Sequence, residues 1–98
     1  MSRRLLLRQR ARLEIAEAVE WYEMRNASLA ADLVAEIEAA MAAIGRNPYQ
    51  YQKFRGEFRR LVLRRFPYNL VYIATDDEIV IMRCIHHRQS PRRLDDMA

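Results

Sequence analysis

The sequence predicts an α+β domain of order β-α-α-β-β-β, in which a helical hairpin packs on one face of a small antiparallel sheet. Three observations predict it. Apolar residues recur at steps of three and four from about Gln9 to Ile44, and later runs are rich in β-branched and aromatic residues. Asn47-Pro48 separates the two regimes. A chain of 98 residues with an apolar fraction of 51% has material for one core and not two, so residues 1–98 read as a single domain with loose ends at 1–4 and 95–98.

The elements follow in order. Leu5 to Leu7 reads as a short strand. Ala11, Ile15, Ala18, Val19 and Tyr22 then share one helical face, with Glu14, Glu17, Glu20 and Glu23 filling much of the remainder, so a first helix runs from about residue 9 to 25 and stops near Asn26. Ser28 is placed to cap a second helix, whose apolar stripe is Leu33, Ile37, Met41 and Ile44 on an alanine-rich frame, ended by Gly45 and Asn47-Pro48. So short a connection makes the two helices an antiparallel hairpin. Gly56 marks a turn. From Phe58 to Arg65, Leu61 and Leu63 alternate with Arg60, Val62 and Arg64; Tyr68 to Ala74 and Glu78 to Ile85 flank the acidic turn Asp76-Asp77 as a hairpin. Ile79-Val80-Ile81-Met82 is apolar on both faces and belongs inside the sheet. Pro67 belongs at a strand start, and the tail from Gln89 reads as irregular or a short helix.

The charge is unevenly spread. The formal charge is +4, but residues 13–45 are acidic while residues 46–65 carry seven bases against Glu57 alone. All the bases except Lys53 are arginine, whose planar fork suits phosphates and carboxylates. A basic segment of this kind points to an acidic or polyanionic partner. Cys84 is the single cysteine, which excludes an internal disulfide and suits a reducing compartment; with no apolar run near membrane-span length, the cytoplasm is the expected location.

The candidate binding groups are Arg55, Arg59, Arg60, Arg64, Arg83, His87 and Arg88, read as lining the sheet face opposite the helices. Arg83 stands out because it interrupts an apolar strand. His86 and His87 are neighbours on a strand and point to opposite faces, so they do not easily serve one site. Tyr49, Tyr51, Phe54, Tyr68 and Tyr72 have the spacing of base-stacking aromatics, although Tyr72 and Phe66 read better as packing. Cys84 and His86 lack further ligands for zinc, and no glycine-rich phosphate loop, serine nucleophile motif or paired-carboxylate arrangement occurs. No cofactor or metal is expected.

Ala16 and Trp21-Tyr22 in the first helix, Asn47-Pro48, Arg59-Arg60, Phe66-Pro67-Tyr68 with Tyr72, and the closing His86, Arg88 and Pro91 together resemble the RelE/ParE superfamily, the toxins of bacterial type II toxin–antitoxin modules. The resemblance implies a curved sheet, a cognate antitoxin bound in a hetero-oligomer, and one of two targets. The RelE-like branch is a ribosome-dependent mRNA endoribonuclease; here its working groups would come from Arg60, Arg64, Arg83, His86, His87 and Arg88. The ParE-like branch inhibits DNA gyrase by protein binding and serves plasmid stabilisation. Arg60 and Arg88 match basic positions of the nuclease branch, but Asn69 stands where that branch has an arginine, Val62 where it has a lysine, and Leu94 near its C-terminal tyrosine. The incomplete set implies the ParE-like branch and no catalysis. A non-toxic basic interaction module is the remaining alternative.

Overall fold

A computed structural model of the protein describes residues 3–88, so the expectations for the tail, Leu94 included, lie outside the described residues. The elements are β1 (Arg4–Leu7), α1 (Gln9–Glu23), α2 (Ala27–Arg46), β2 (Lys53–Arg55), β3 (Phe58–Val62), β4 (Tyr68–Ala74) and β5 (Glu78–His86), with a 3-10 turn at Pro48–Gln50. The sheet order is β1-β5-β4-β3-β2. Strands β2 to β5 form the expected antiparallel array, whereas β1 joins β5 in parallel, with Leu5 opposite Ile79 and Leu7 opposite Ile81. The sheet is therefore mixed. The helical hairpin carries the chain from one edge of the sheet to the other, and the meander then returns it to lie along β1. Arg3 and Arg4 are not loose: Arg3 donates to the Thr75 carbonyl, and Arg4 pairs with Glu78 across the new seam.

Local sequence accounts for each boundary. In α1, Ala11 and Ala18 are buried, and Ile15, Val19 and Tyr22 pack on the core as their spacing requires. The cap of α2 is Asn26 and not Ser28: Asn26 has an extended backbone, and its side-chain oxygen accepts the N–H groups of Ser28 (3.0 Å) and Leu29 (3.2 Å). Gly45 lies within α2, and Asn47 ends it while capping the 3-10 turn through the Tyr49 N–H. Gly56, at φ +52°, turns β2 into β3, a conformation that favours glycine. Strand β2 was not anticipated, because three residues with Phe54 as the only apolar one offer no period to read.

The core lies between the hairpin and one sheet face. Leu33, Ile37 and Ile44 of α2 meet Leu61, Leu70, Tyr72, Ile79 and Ile81. Burying such side chains contributes roughly 1.5–3 kcal/mol each. Tyr72 is fully buried, and its hydroxyl donates to the Pro48 carbonyl, which ties the helix-to-sheet connection to the centre of β4. Glu36 of α2 accepts the backbone N–H of Arg64 (2.5 Å) and of Arg65 (3.3 Å), and Asp32 pairs with Arg65, so the β3–β4 loop is latched to the second helix.

The seam between α1 and β5 is polar. Strand β1 stops opposite Ile81, and Arg8 makes the last backbone bond of that edge, to the Ile81 carbonyl. A register shift follows, Tyr72 facing Ile81 and Val71 facing Arg83, so Met82 is an extra residue in β5. Past it the β5 edge has no neighbouring strand among the described residues, and a side chain takes the strand's place. Glu14 Oε1 accepts the Cys84 N–H at 2.9 Å, while both carboxylate oxygens receive the Arg83 guanidinium at 2.7–3.0 Å. Arg83 is only 2% exposed. Burial pushes the neighbouring Cys84 thiol up to about 12, with the Glu14 charge adding to the effect.

Two stability outcomes follow from these contacts. Glu14→Ala strands a buried guanidinium and an edge N–H, so urea unfolding should show a loss of about 3–5 kcal/mol, whereas a Glu14→Leu/Arg83→Met double variant should recover much of it. Asn26→Ala should cost about 1 kcal/mol and Ser28→Ala much less in the same measurement; equal effects would contradict the assignment of the cap.

Candidate partner-binding surface

The sheet face away from the helices is built from alternate residues of four strands. Phe54 of β2 and Phe58 of β3 pack on buried Val71 and Ile85, forming a second, smaller apolar cluster. The pairing register sets Arg60 opposite Val71, Val62 opposite Asn69, and Asn69 opposite Ile85. Arg60 lies exposed with its guanidinium 5.4 Å from the Phe54 ring centre, a cation–π arrangement that holds the charge over the apolar floor. Val62 is 48% exposed. At the far end, His87 Nε2 and Asn69 Oδ1 are 3.1 Å apart, and exposed Arg88 follows. The surface is thus an apolar floor with a guanidinium at one side and imidazole and amide groups at the other. Val62 lies on the side that alternation gives it with Arg60, whereas Phe58 was not singled out from the sequence; its spacing of two from Arg60 is the signal that places it here.

The expected arginines do not converge on this face. Arg60 and His87 do lie there. Arg59 is turned back to the Tyr49 and Tyr51 carbonyls, at 3.4 and 2.8 Å. Arg64 stands in the loop latched to α2, and Arg55 is exposed on β2 at the sheet edge. Arg83 corrects the expectation most sharply, because it is withdrawn into the ion pair with Glu14 and is not offered to a partner. An arginine that interrupts an apolar strand marked an internal pairing. The two histidines separate as alternation requires: His86 lies against Tyr68 on the helix side, ring centres 5.2 Å apart, and its Nδ1 accepts the Arg88 N–H.

Burial moves Tyr68, Tyr72 and Cys84 away from proton transfer near neutral pH. Burial pushes the Tyr72 phenol up to about 12, although the Arg59 guanidinium nearby draws it down and Tyr51 pushes it up further. Burial also raises Tyr68 above the ordinary phenol value. Each of these groups, like the Cys84 thiol, moves away from the range in which a general acid or base works. Among the described residues no group of three or more His, Cys, Asp or Glu is placed to hold a metal ion, and no helix is long and apolar enough to cross a membrane.

A concavity lies on the helix side. It is a cleft of about 400 Å³ between α1 and the ends of β4 and β5, with Glu14, Glu17, Trp21, Tyr22, Tyr68 and His86 among its walls.

A solved structure of the chromosomal ParDE TA system from P. aeruginosa is similar to 86% of this chain and 95% of its own, with a TM-score of 0.75 and 18% sequence identity, a likeness of fold. No curated protein matches the sequence. The family model described as the ParE toxin of the type II toxin-antitoxin system, parDE, matches residues 5–91, which spans every element from β1 to β5. The chain belongs to the ParE toxin family of type II toxin–antitoxin systems.

Proposed function

We propose that the protein acts in the cytoplasm as a toxin that inhibits DNA gyrase by binding it, without catalysis of its own, and that a cognate antitoxin neutralises it. One observation carries this reading. The exposed sheet face has the composition of a docking surface, with Arg60 over Phe54, Phe58 and Val62, and among the described residues it carries no assembled phosphate-cleaving set. Asn69, where a nuclease needs a cation, is already bonded to His87, and Arg83 is committed to Glu14. An apolar floor with a guanidinium anchor is the usual make-up of a protein–protein hot spot. A nuclease would need several cations around one phosphate.

The antitoxin is proposed to engage the same molecule through a segment with acidic character that folds as it binds, since free cations such as Arg60 and Arg64 lie on the surface. The resulting hetero-oligomer would hold the toxin inactive until the antitoxin is degraded, the logic by which such a module retains the plasmid that encodes it.

Induced expression should stop DNA replication and leave gyrase–DNA cleavage complexes, and the purified protein should block gyrase supercoiling. Mapping of mRNA 5′ ends should show no codon-phased cuts; such cuts with intact supercoiling would establish the ribosome-dependent endoribonuclease instead. Harmless overexpression would leave only a non-toxic interaction module. Arg60→Ala and His87→Ala should lose most of the toxicity while unfolding within about 0.5 kcal/mol of the parent, whereas Arg83→Ala should lose the fold along with the toxicity. Circular dichroism and urea titration separate the two.

A further inference from the structure

The helix-side cleft has chemistry opposite to that of the arginine-bearing face. Among the described residues, no lysine or arginine lines it. Of its two carboxylates, Glu14 is neutralised by Arg83, while Glu17 is exposed and has no ion-pair partner among the described residues. Its remaining walls are aromatic. Trp21 and Tyr22 meet edge to face, with ring centres 4.9 Å apart at 75°, and Tyr68 and His86 do so at 5.2 Å and 87°. The result is a concave patch of negative charge and negative ring faces on a chain of net charge +4.

We propose that this cleft is a docking site for an arginine side chain carried by a partner polypeptide, held between the Glu17 carboxylate and the rings of Trp21 and Tyr68. Charge complementarity selects a cation, and the rings select a planar one, since a guanidinium stacks on aromatic faces and grips a carboxylate with two parallel bonds. The molecule already contains an example at the same indole. Arg25, which does not line the cleft, stacks its guanidinium 3.7 Å from the Trp21 ring centre and donates to the Trp21 carbonyl at 2.8 Å. Trp21 nevertheless remains 48% exposed and lines the cleft with the rest of its surface. A volume of about 400 Å³ falls within the range of roughly 300–1,000 Å³ typical of ligand pockets. It accommodates one long side chain with the backbone that carries it. The surface lies on the other side of the sheet from Arg60, so it adds a second, acidic contact to the basic one, and the inference does not depend on which target the toxin strikes.

Trp21 is the single tryptophan of the chain, so its fluorescence reports on the cleft directly. The full-length protein is titrated with the capped tripeptide acetyl-Ala-Arg-Ala-amide and with its citrulline and lysine counterparts, following Trp21 emission and the NMR shift of its indole N–H. The arginine peptide should give a saturable change. The uncharged citrulline peptide should bind about tenfold more weakly and the lysine peptide several-fold more weakly. Glu17→Gln, a change on an exposed helix position, should weaken the arginine peptide about fivefold with no change in unfolding midpoint. Equal binding of arginine and citrulline peptides, a preference for lysine, or indifference to Glu17→Gln would each overturn the proposal.

Discussion

One carboxylate organises the junction on which both surfaces of this protein rest. Strand β1 is too short to cover β5, and where it ends Glu14 reaches from α1 to take up the Cys84 N–H and the Arg83 guanidinium together. A buried polar edge of a sheet ordinarily requires another strand. Here a helix performs that task through a side chain, so α1 lies tight against the far end of β5. The consequence is geometric. The helix cannot slide along the sheet without breaking three charge-assisted bonds from Arg83 and one from the backbone. Ion pairs of this kind contribute little net stability compared with a well-packed apolar substitute. Their directionality instead specifies a single register between helix and strand.

That register separates the two sides of the sheet chemically. On the helix side, carboxylates and aromatic rings of α1 face Tyr68 and His86 across the cleft. On the other side, the extra residue in β5 brings Ile85 into line with Val71, Phe54 and Phe58, and leaves Arg60, Asn69 and His87 around them. The net charge of the chain thus conceals two surfaces of unlike sign. Docking to partners through both would let one small domain discriminate by complementarity rather than by area, since like-charged partners are rejected at either face.

Much of this architecture was legible in the sequence, for definable reasons. The stripes Ala11–Tyr22 and Leu33–Ile44 obey helical spacing because each has a single core to face, and they pack on that core as read. The limits of β4 and the position of β5 inside the sheet followed from β-branched runs around Asp76-Asp77, and Thr75 closes that turn by accepting the Glu78 N–H. The misses share one cause, dependence on residues far away in the chain. Glu14 and Arg83 are 69 positions apart, and each alone looks like a solvent-facing charge. A carboxylate bordering an apolar helix stripe and a lone arginine inside an apolar strand are, taken together, a readable sign of a pair. The parallel β1–β5 contact and the brief strand β2 have no local signal at all, because they are decided by closure of the whole sheet. The spread of the arginines was hidden for the same reason: alternation assigns a face, but Arg59 and Arg65 choose partners across loops.

Inhibition by binding and inhibition by catalysis differ most plainly in stoichiometry. Purified protein is titrated against a fixed amount of gyrase in a supercoiling assay, at several times of incubation. Inhibition by binding predicts a loss of activity that saturates at a fixed ratio of protein to gyrase and does not deepen with time. Loss that grows steadily with time when the protein is far below the gyrase concentration would mean turnover, and would contradict the account.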